Sequence, residues 1–364
     1  MTETAVADQE ILALRDRLWA AALDADEAGA VDVVTSAARD GWSPESLLLD
    51  VVAGVQRRVG EEWAGNRITV ADEHAVTAVN DRAVAALSRR LPRPGGDRPR
   101  VTVACVDGEW HALPARLVAE TLRWRGRDVD FLGAHVPTAH LISHLHANRP
   151  EAVLLSASIP THLPAAHAAL TAIQSIGVPV VVGGAAFGPD GRQARVLHAD
   201  AWAGDARGAA ELLDAGVEPS YASAAARQQI DDLPHLTDQE YTLITRNRPA
   251  LVKQTLHGLE ERYPPMRSYS PDQYDRTAED IGHVLDFLAT ALYFDDRDIF
   301  QRFVTWTGQI LTVRRVPAAS LGLALSVLAA QLHEFPRAES FLSEAARSFG
   351  TLPDLPASGT GTLA

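Results

Sequence analysis

Over the first 90 residues the apolar positions recur at helical spacing. Residues 8 to 23 and 28 to 39 carry Ala, Leu and Val on one face. The stretch SPESLLLDVVAGVQRRVGEEWA opens on a serine able to cap a helix, and TVADEHAVTAVNDRAVAALSRR opens with Thr69 and Asp72 as a capping box. Four short helices follow, and they fit a four-helix bundle over residues 1–90. On the last helix Val76, Val79, Ala83 and Leu87 form the core stripe. Neighbouring positions lie about 100° apart, so Glu73 flanks that stripe and His74 points away from it.

From 101 to about 215 the period changes. VTVACV, DVDFL, EAVLLS, VPVVVG and ADAWAG are short runs, apolar at nearly every position, separated by amphipathic stretches. Such runs suit a sheet covered on both faces, and right-handed crossovers then predict a Rossmann-like, doubly wound, five-stranded parallel α/β domain over 100–216. After the loose segment AGVEPSYASAAARQQIDDLP come amphipathic patterns opened by Thr, Ser, Asp or Pro, which predict an all-helical domain over 229–350. Its central helix carries Ile281, Val284, Leu285, Leu288 and Leu292 on one face and His283, Phe287, Thr290 and Phe294 on the other. A helix apolar on two sides is expected to be buried on two sides, against the domain core and against a cofactor or another domain. The alternative is a plain packing module with His283 bonded in its core. Residues 351–364, TLPDLPASGTGTLA, have the composition of a disordered tail.

Composition narrows the function classes. No apolar run approaches the ~18 residues of a membrane span, and MTETAVADQE lacks the pattern of a signal peptide. A soluble, cytoplasmic protein with no membrane partner is expected. One cysteine excludes an internal disulfide framework. With 33 Lys and Arg against 47 Asp and Glu the net charge is −14, which opposes binding to a phosphate backbone. The basic cluster RRLPRPGGDRPR reads as a Pro- and Gly-punctuated linker.

Candidate chemistry lies where three predicted strands end. DGEWH follows the first, SASIPTH the third and GGAAFG the fourth, and in a wound sheet these loops share the edge at which ligands bind. His111 can ligate a transition metal through a neutral imidazole, with Glu109 or Asp107 accepting its other N–H. Ser156 and Ser158 offer hydroxyls, and Gly183 and Gly184 remove side chains where a bulky ligand would press on the backbone. Each residue alone also has an ordinary reading, the histidine as a helix cap and the glycines as a turn. Their arrival at one edge favours a site.

The set E-x-H, a Ser pair 45 and 47 residues after the histidine, and Gly-Gly 27 residues after the first serine resembles the cobalamin-binding domain family. That family's pattern is Asp/Glu-x-His-x-x-Gly, Ser-x-Leu, Gly-Gly; Pro114 and Ser158 depart from it. The resemblance implies that His111 is the lower axial ligand of cobalt, with the displaced nucleotide tail passing Ser156 or Ser158 and lying over Gly183 and Gly184. Trp63 followed after nine residues by Glu73 and His74 resembles cobalamin-dependent light sensors, whose bundle caps the corrin. It implies Trp63 over an adenosyl group, Glu73 on the ribose hydroxyls, and His74 within reach of a vacated cobalt position. Bundle-plus-α/β modules also serve as corrinoid methyl carriers for methyltransferase systems, and that reading stays open. The DNA-binding relatives have a helix-turn-helix ahead of the bundle. Here a handful of residues precede the first helix, which, with the charge, speaks against nucleic acid as a partner.

The whole arrangement resembles the photocobilins, photoreceptors that combine adenosylcobalamin with a bilin, usually biliverdin. This implies a non-catalytic light sensor with a globin-like third domain and small-molecule chromophores. Its macromolecular partner would be a second copy or a downstream signalling protein. In RYPPMRSYSPDQY, Arg262, Arg267 and Tyr269 could pair propionates and stack on a flat pigment, with His283 nearby in sequence. The lone thiol, Cys105, falls in the first predicted strand, so any bilin would be bound without a thioether.

Overall fold

The computed structural model describes residues 3–89, 99–219 and 238–350. Most of the predicted linker, most of the second loose segment and the predicted disordered tail lie outside the described residues. The chain divides into two compact units, residues 1–230 and 231–364.

The first unit begins with the helical bundle: α1 (Glu3–Leu23), α2 (Glu27–Arg39), α3 (Ala53–Ala64) and α4 (Val70–Ser88). At the start of α4 the capping box is present, with the Thr69 N–H donating to the Asp72 carboxylate at 2.8 Å and the Asp72 N–H donating to Thr69 Oγ1 at 3.2 Å. The predicted third helix is not uniform. Ser43 caps a short turn, Pro44–Ser46, and Leu47–Val52 is π-helical before α3 begins. Leu47, Leu48, Val51 and Val52 are all buried. Residues four apart share a face in a π-helix much as in an α-helix, so the pairs 47/51 and 48/52 both stay on the core through the wider turn.

The second layer is a five-stranded sheet of order β2-β1-β3-β4-β5, parallel throughout. Its strands are β1 (Arg100–Cys105), β2 (Asp128–Gly133), β3 (Ala152–Ser156), β4 (Val180–Gly183) and β5 (Ala201–Ala203). The crossovers run through α5 (Ala112–Trp124), α6 (Thr138–Asn148), α7 (Leu163–Ser175) and α8 (Arg192–Val196), and α9 (Ala206–Ala215) closes the layer. Strand order reverses at β1, between β2 and β3, so the crevice for a ligand opens at the carboxyl ends of β1 and β3.

One helix belongs to both layers. Ala115, Ala119 and Leu122 of α5 pack with Val101, Val103 and Cys105 of the sheet. Leu113 and Leu117 of the same helix lie in the bundle core. Beyond its end Arg125 forms a fork with Glu45 at 2.8 and 3.0 Å, and Arg207 of α9 reaches Glu45 at 3.1 Å and Asp50 at 3.1 and 2.8 Å. Arg125 chiefly, then Arg207, holds the Glu45 carboxyl below its ordinary range against the opposing effect of burial. Glu45→Ala is expected to destabilise the first unit by about 1–2 kcal/mol, since the network is partly solvated. The difference from the parent should shrink in ~1 M salt. Chemical denaturation at two salt concentrations measures both.

The second unit is all-helical: α10 (Glu240–Arg262), α11 (Pro271–Phe294), α12 (Arg297–Val313), α13 (Ala319–Gln331) and α14 (Pro336–Arg347). Ile281, Val284, Leu285, Leu288 and Leu292 of α11 are buried as predicted. On the opposite face Thr290 and Phe294 are buried too, but Phe287 is covered by the unit's own Phe303, with centroids 3.9 Å apart and planes 7° apart. His283 is exposed, so it is not a core-bonded histidine. Arg262 and Arg267 are exposed as well, and Tyr269 is half-buried. Among the described residues no helix is long and apolar enough to cross a membrane.

Candidate functional site

The chain leaves β1 through Asp107 and Gly108, and the Glu109 N–H donates back to the Val106 carbonyl at 3.0 Å. This turn points Glu109 inward, and its side chain is fully buried. A buried carboxylate must be hydrogen-bonded, and Glu109 is so on both oxygens. Oε1 accepts from the His111 amide at 2.8 Å and from His111 Nδ1 at 2.6 Å. Oε2 accepts from the Ser158 amide at 2.6 Å and more weakly from the Ile159 amide at 3.4 Å. Of the two carboxylates the sequence offered as partner for His111, the one used is Glu109. It also ties the loop after β1 to the loop after β3.

The electrostatics follow from these bonds. Burial pushes the Glu109 carboxyl up, but the His111 ring and the Ser158 and His111 amides outweigh it and bring it down to about 2. The hydrogen bond to Glu109 raises His111 above the ordinary imidazole value against a smaller effect of burial, and the charges of Glu109 and Glu73 add to the rise. Because the carboxylate accepts, Nδ1 donates, and a neutral His111 keeps its lone pair on Nε2. The ring is 54% exposed, which leaves that nitrogen accessible at the rim. Among the described residues no group of three or more His, Cys, Asp or Glu could hold a metal ion by itself. What the site offers is one oriented nitrogen, suited to a metal whose other positions are filled by its own macrocycle.

The other strand ends assemble around this pair. Ser156 is buried and its carbonyl accepts from the Val106 N–H at 3.1 Å. Gly184 adopts φ +99°, and a Cβ there would meet the Ala157 carbonyl oxygen at 2.3 Å. The glycine is therefore required by the neighbouring strand end, whatever ligand lies above it. Gly183 is tight in the same way, with the Ala203 oxygen 3.1 Å from an added Cβ.

From the bundle, Glu73 is near enough for its charge to act on His111, so the start of α4 borders the same rim. Trp63 is half-buried. His74 is exposed, with Nδ1 2.9 Å from the Val70 carbonyl and 2.8 Å from Glu73. Three neighbours carried no role in the sequence reading. His162 packs over Gly108, where a Cβ would lie 3.3 Å from its Nδ1, and burial lowers its pKa. His135 accepts the Gly108 N–H at 2.9 Å, and Trp110 stacks on His135. His135 follows the second strand, so the strand-end rule that singled out His111 also reaches it.

Comparison with known proteins bears on this geometry. Residues 99–214 match a family model described as a B12 binding domain, and residues 14–88 match a second model of the same description. The chain is 32% identical over 140 residues to the HTH-type transcriptional repressor CarH of Myxococcus xanthus, covering 38% of this chain and 46% of that one. It thus spans under half the length of that curated relative. Two solved structures are similar at lower identity. The monomethylamine corrinoid protein of Methanosarcina barkeri is 21% identical with a TM-score of 0.49, covering 56% of this chain and 97% of that one. A cobalamin-binding protein of Desulfitobacterium hafniense is 20% identical with a TM-score of 0.30, covering 56% of this chain and 97% of that one.

These findings correct two expectations. The resemblance to photocobilins does not stand, because the matches run to B12 binding domains and to a CarH repressor, not to a bilin-binding family. Biliverdin falls with it, and so do the pigment roles of Arg262, Arg267, Tyr269 and His283, which lie in a unit that neither family model reaches. The expectation against nucleic acid is also withdrawn, since the curated relative is named an HTH-type transcriptional repressor. A charge of −14 summed over 364 residues does not report what a regulatory assembly contacts. Both halves of the first unit, the bundle and the wound sheet, carry matches to B12 binding domains.

Proposed function

We propose that this chain is a non-catalytic, cobalamin-dependent light-responsive regulator. It would act in the cytoplasm and be built as a bundle over 1–90, a cobalamin-binding sheet domain over 100–216 and a helical domain over 229–350. The observation that carries this reading is the buried Glu109 carboxylate fixing His111 Nδ1 at 2.6 Å, which leaves Nε2 as a preset donor at the switch point of the sheet. His111 would be the lower ligand of cobalt. Trp63, Glu73 and His74 would face the upper side, the indole against an adenosyl group and the carboxylate toward ribose hydroxyls. Adenosylcobalamin, when bound, supplies a cobalt–carbon bond that light cleaves. The bundle would respond through α5, whose Leu113 and Leu117 sit in the bundle core while its first turn follows directly on His111.

Purification in the dark with adenosylcobalamin tests the reading. The parent protein should retain colour, and green light should change both its spectrum and its elution volume. His111→Ala should hold cobalamin weakly and in the base-off form. A colourless parent, or identical spectra for parent and variant, would refute the assignment. A methyl carrier would instead retain methylcobalamin and show no change of elution volume on illumination.

A further inference from the structure

Trp110 is 70% exposed although the residue before it is fully buried. An indole left in water at the mouth of a site forgoes a large burial gain, yet its surroundings hold it there. Its ring stacks on His135 with centroids 4.7 Å apart and planes 13° apart. His135 is fixed in turn from two directions. Its backbone N–H donates to the Glu109 carbonyl at 2.8 Å, and its ring Nδ1 accepts the Gly108 N–H at 2.9 Å. The Asp107 carboxylate lies 3.2 Å from the same nitrogen and, since that nitrogen is accepting, acts as a neighbouring charge and not as a bonded partner. His135 also holds φ at +47°, a left-handed conformation that a non-glycine residue keeps only where its surroundings over-determine it. The loop after β2 is thus strained in order to set an imidazole against an indole, and the indole's other face remains open.

We propose that the Trp110–His135 stack is a platform for the macrocycle itself, with the open face of the indole taking the edge of a flat corrin held through His111. This rests on the cobalamin reading above and adds to it a contact carried by the residue between Glu109 and His111. The geometry is restrictive. Trp110 directly precedes His111, with Cα atoms ~3.8 Å apart along the chain, so its side chain borders the place a group held through His111 would take. Glu109 occupies Nδ1 of His111, so a metal would take Nε2, and both the His111 ring and Trp110 are exposed. An indole has two side-chain torsions and one of its faces is already packed, so little freedom remains to be lost on binding. Trp110 is then a cofactor-binding residue and His135 a positioning residue.

Hydroxyl-radical footprinting of the full chain with and without hydroxocobalamin tests this, using Trp306, 44% exposed in the other unit, as internal standard. Loading should slow oxidation of Trp110 several-fold relative to Trp306. Trp110→Ala should release hydroxocobalamin about tenfold faster, as expected for loss of one aromatic contact, and Trp110→Phe should stay close to the parent. His135→Ala should move release in the same direction, and His135→Phe, which can still stack, should restore most of it. Unchanged oxidation of Trp110 in protein whose absorbance shows retained cobalamin would overturn the platform and leave the cobalamin reading standing. Protection of Trp110 that depends on protein concentration and not on cobalamin would assign the surface to a second copy and overturn it too. Protein that retains no hydroxocobalamin would bring down the functional reading, and the platform with it.

Discussion

Glu109→Gln is expected to weaken cobalamin retention by on the order of 10–100-fold, the usual loss when the group orienting a metal ligand is removed. A neutral amide cannot accept on both sides. It sets an N–H₂ against either the His111 pair of donors or the Ser158 amide, both of which the carboxylate now satisfies. In the cofactor-free protein the same change should cost roughly 3 kcal/mol near neutral pH. The pH dependence has a defined sign. A carboxyl lowered to about 2 contributes stability that is present above its ordinary value and is lost as pH falls through about 2. His111 is raised, so its share is complete below the ordinary imidazole value and fades as pH rises through the higher folded value. The advantage over Glu109→Gln should therefore be largest between about pH 4.5 and 6.5. Metal ligation needs the neutral ring and competes with the proton, so the base-off to His-on transition should fall at a lower pH in the variant, where the carboxylate that raises His111 is gone, if the nitrogen still reaches the metal. A transition at the same pH in both would show that Glu109 does not set the ring.

Leu117→Ala is expected to destabilise the first unit by about 3 kcal/mol, the middle of the range for a buried leucine truncated to alanine. Leu117 is 6% exposed and packs in the bundle core, although its helix is wound onto the sheet. The defect should therefore speed amide exchange in α1, α3 and α4 while the parallel ladder of β1 and β3 stays protected. Leu122→Ala, five residues along the same helix but in the sheet, should do the reverse. Equal loosening of both layers by the two variants would mean that α5 does not divide its faces between them.

The sheet was legible because both of its faces are covered. Runs such as VTVACV and EAVLLS are apolar at successive positions only where helices pack on each side, and they coincide with β1 and β3. The bundle was legible for the opposite reason, since each of its helices buries one face and its apolar positions recur at helical spacing. What escaped notice depends on backbone groups or on distant residues. Glu109 holds the Ser158 amide 49 residues away, and an amide carries no side-chain signature. His135 reaches Gly108 across 27 residues, and its part emerges only when two strand ends are set side by side. The π-helical turn at Leu47–Val52 reads as ordinary helix because its apolar spacing suits either form. The second unit yielded its helices but not its chemistry, since Arg262, Arg267 and His283 had been joined by proximity in sequence and all three face water.

Cys105, the chain's single thiol, is fully buried in β1, and burial together with the nearby Glu109 charge pushes it up to about 12. A thiol in that state is inert to maleimides at neutral pH. The unaltered sequence is therefore already a silent background for site-directed spin or fluorophore labelling. A cysteine introduced at an exposed bundle position and another on an outer sheet helix would report inter-probe distances in darkness and under illumination without first engineering the native protein.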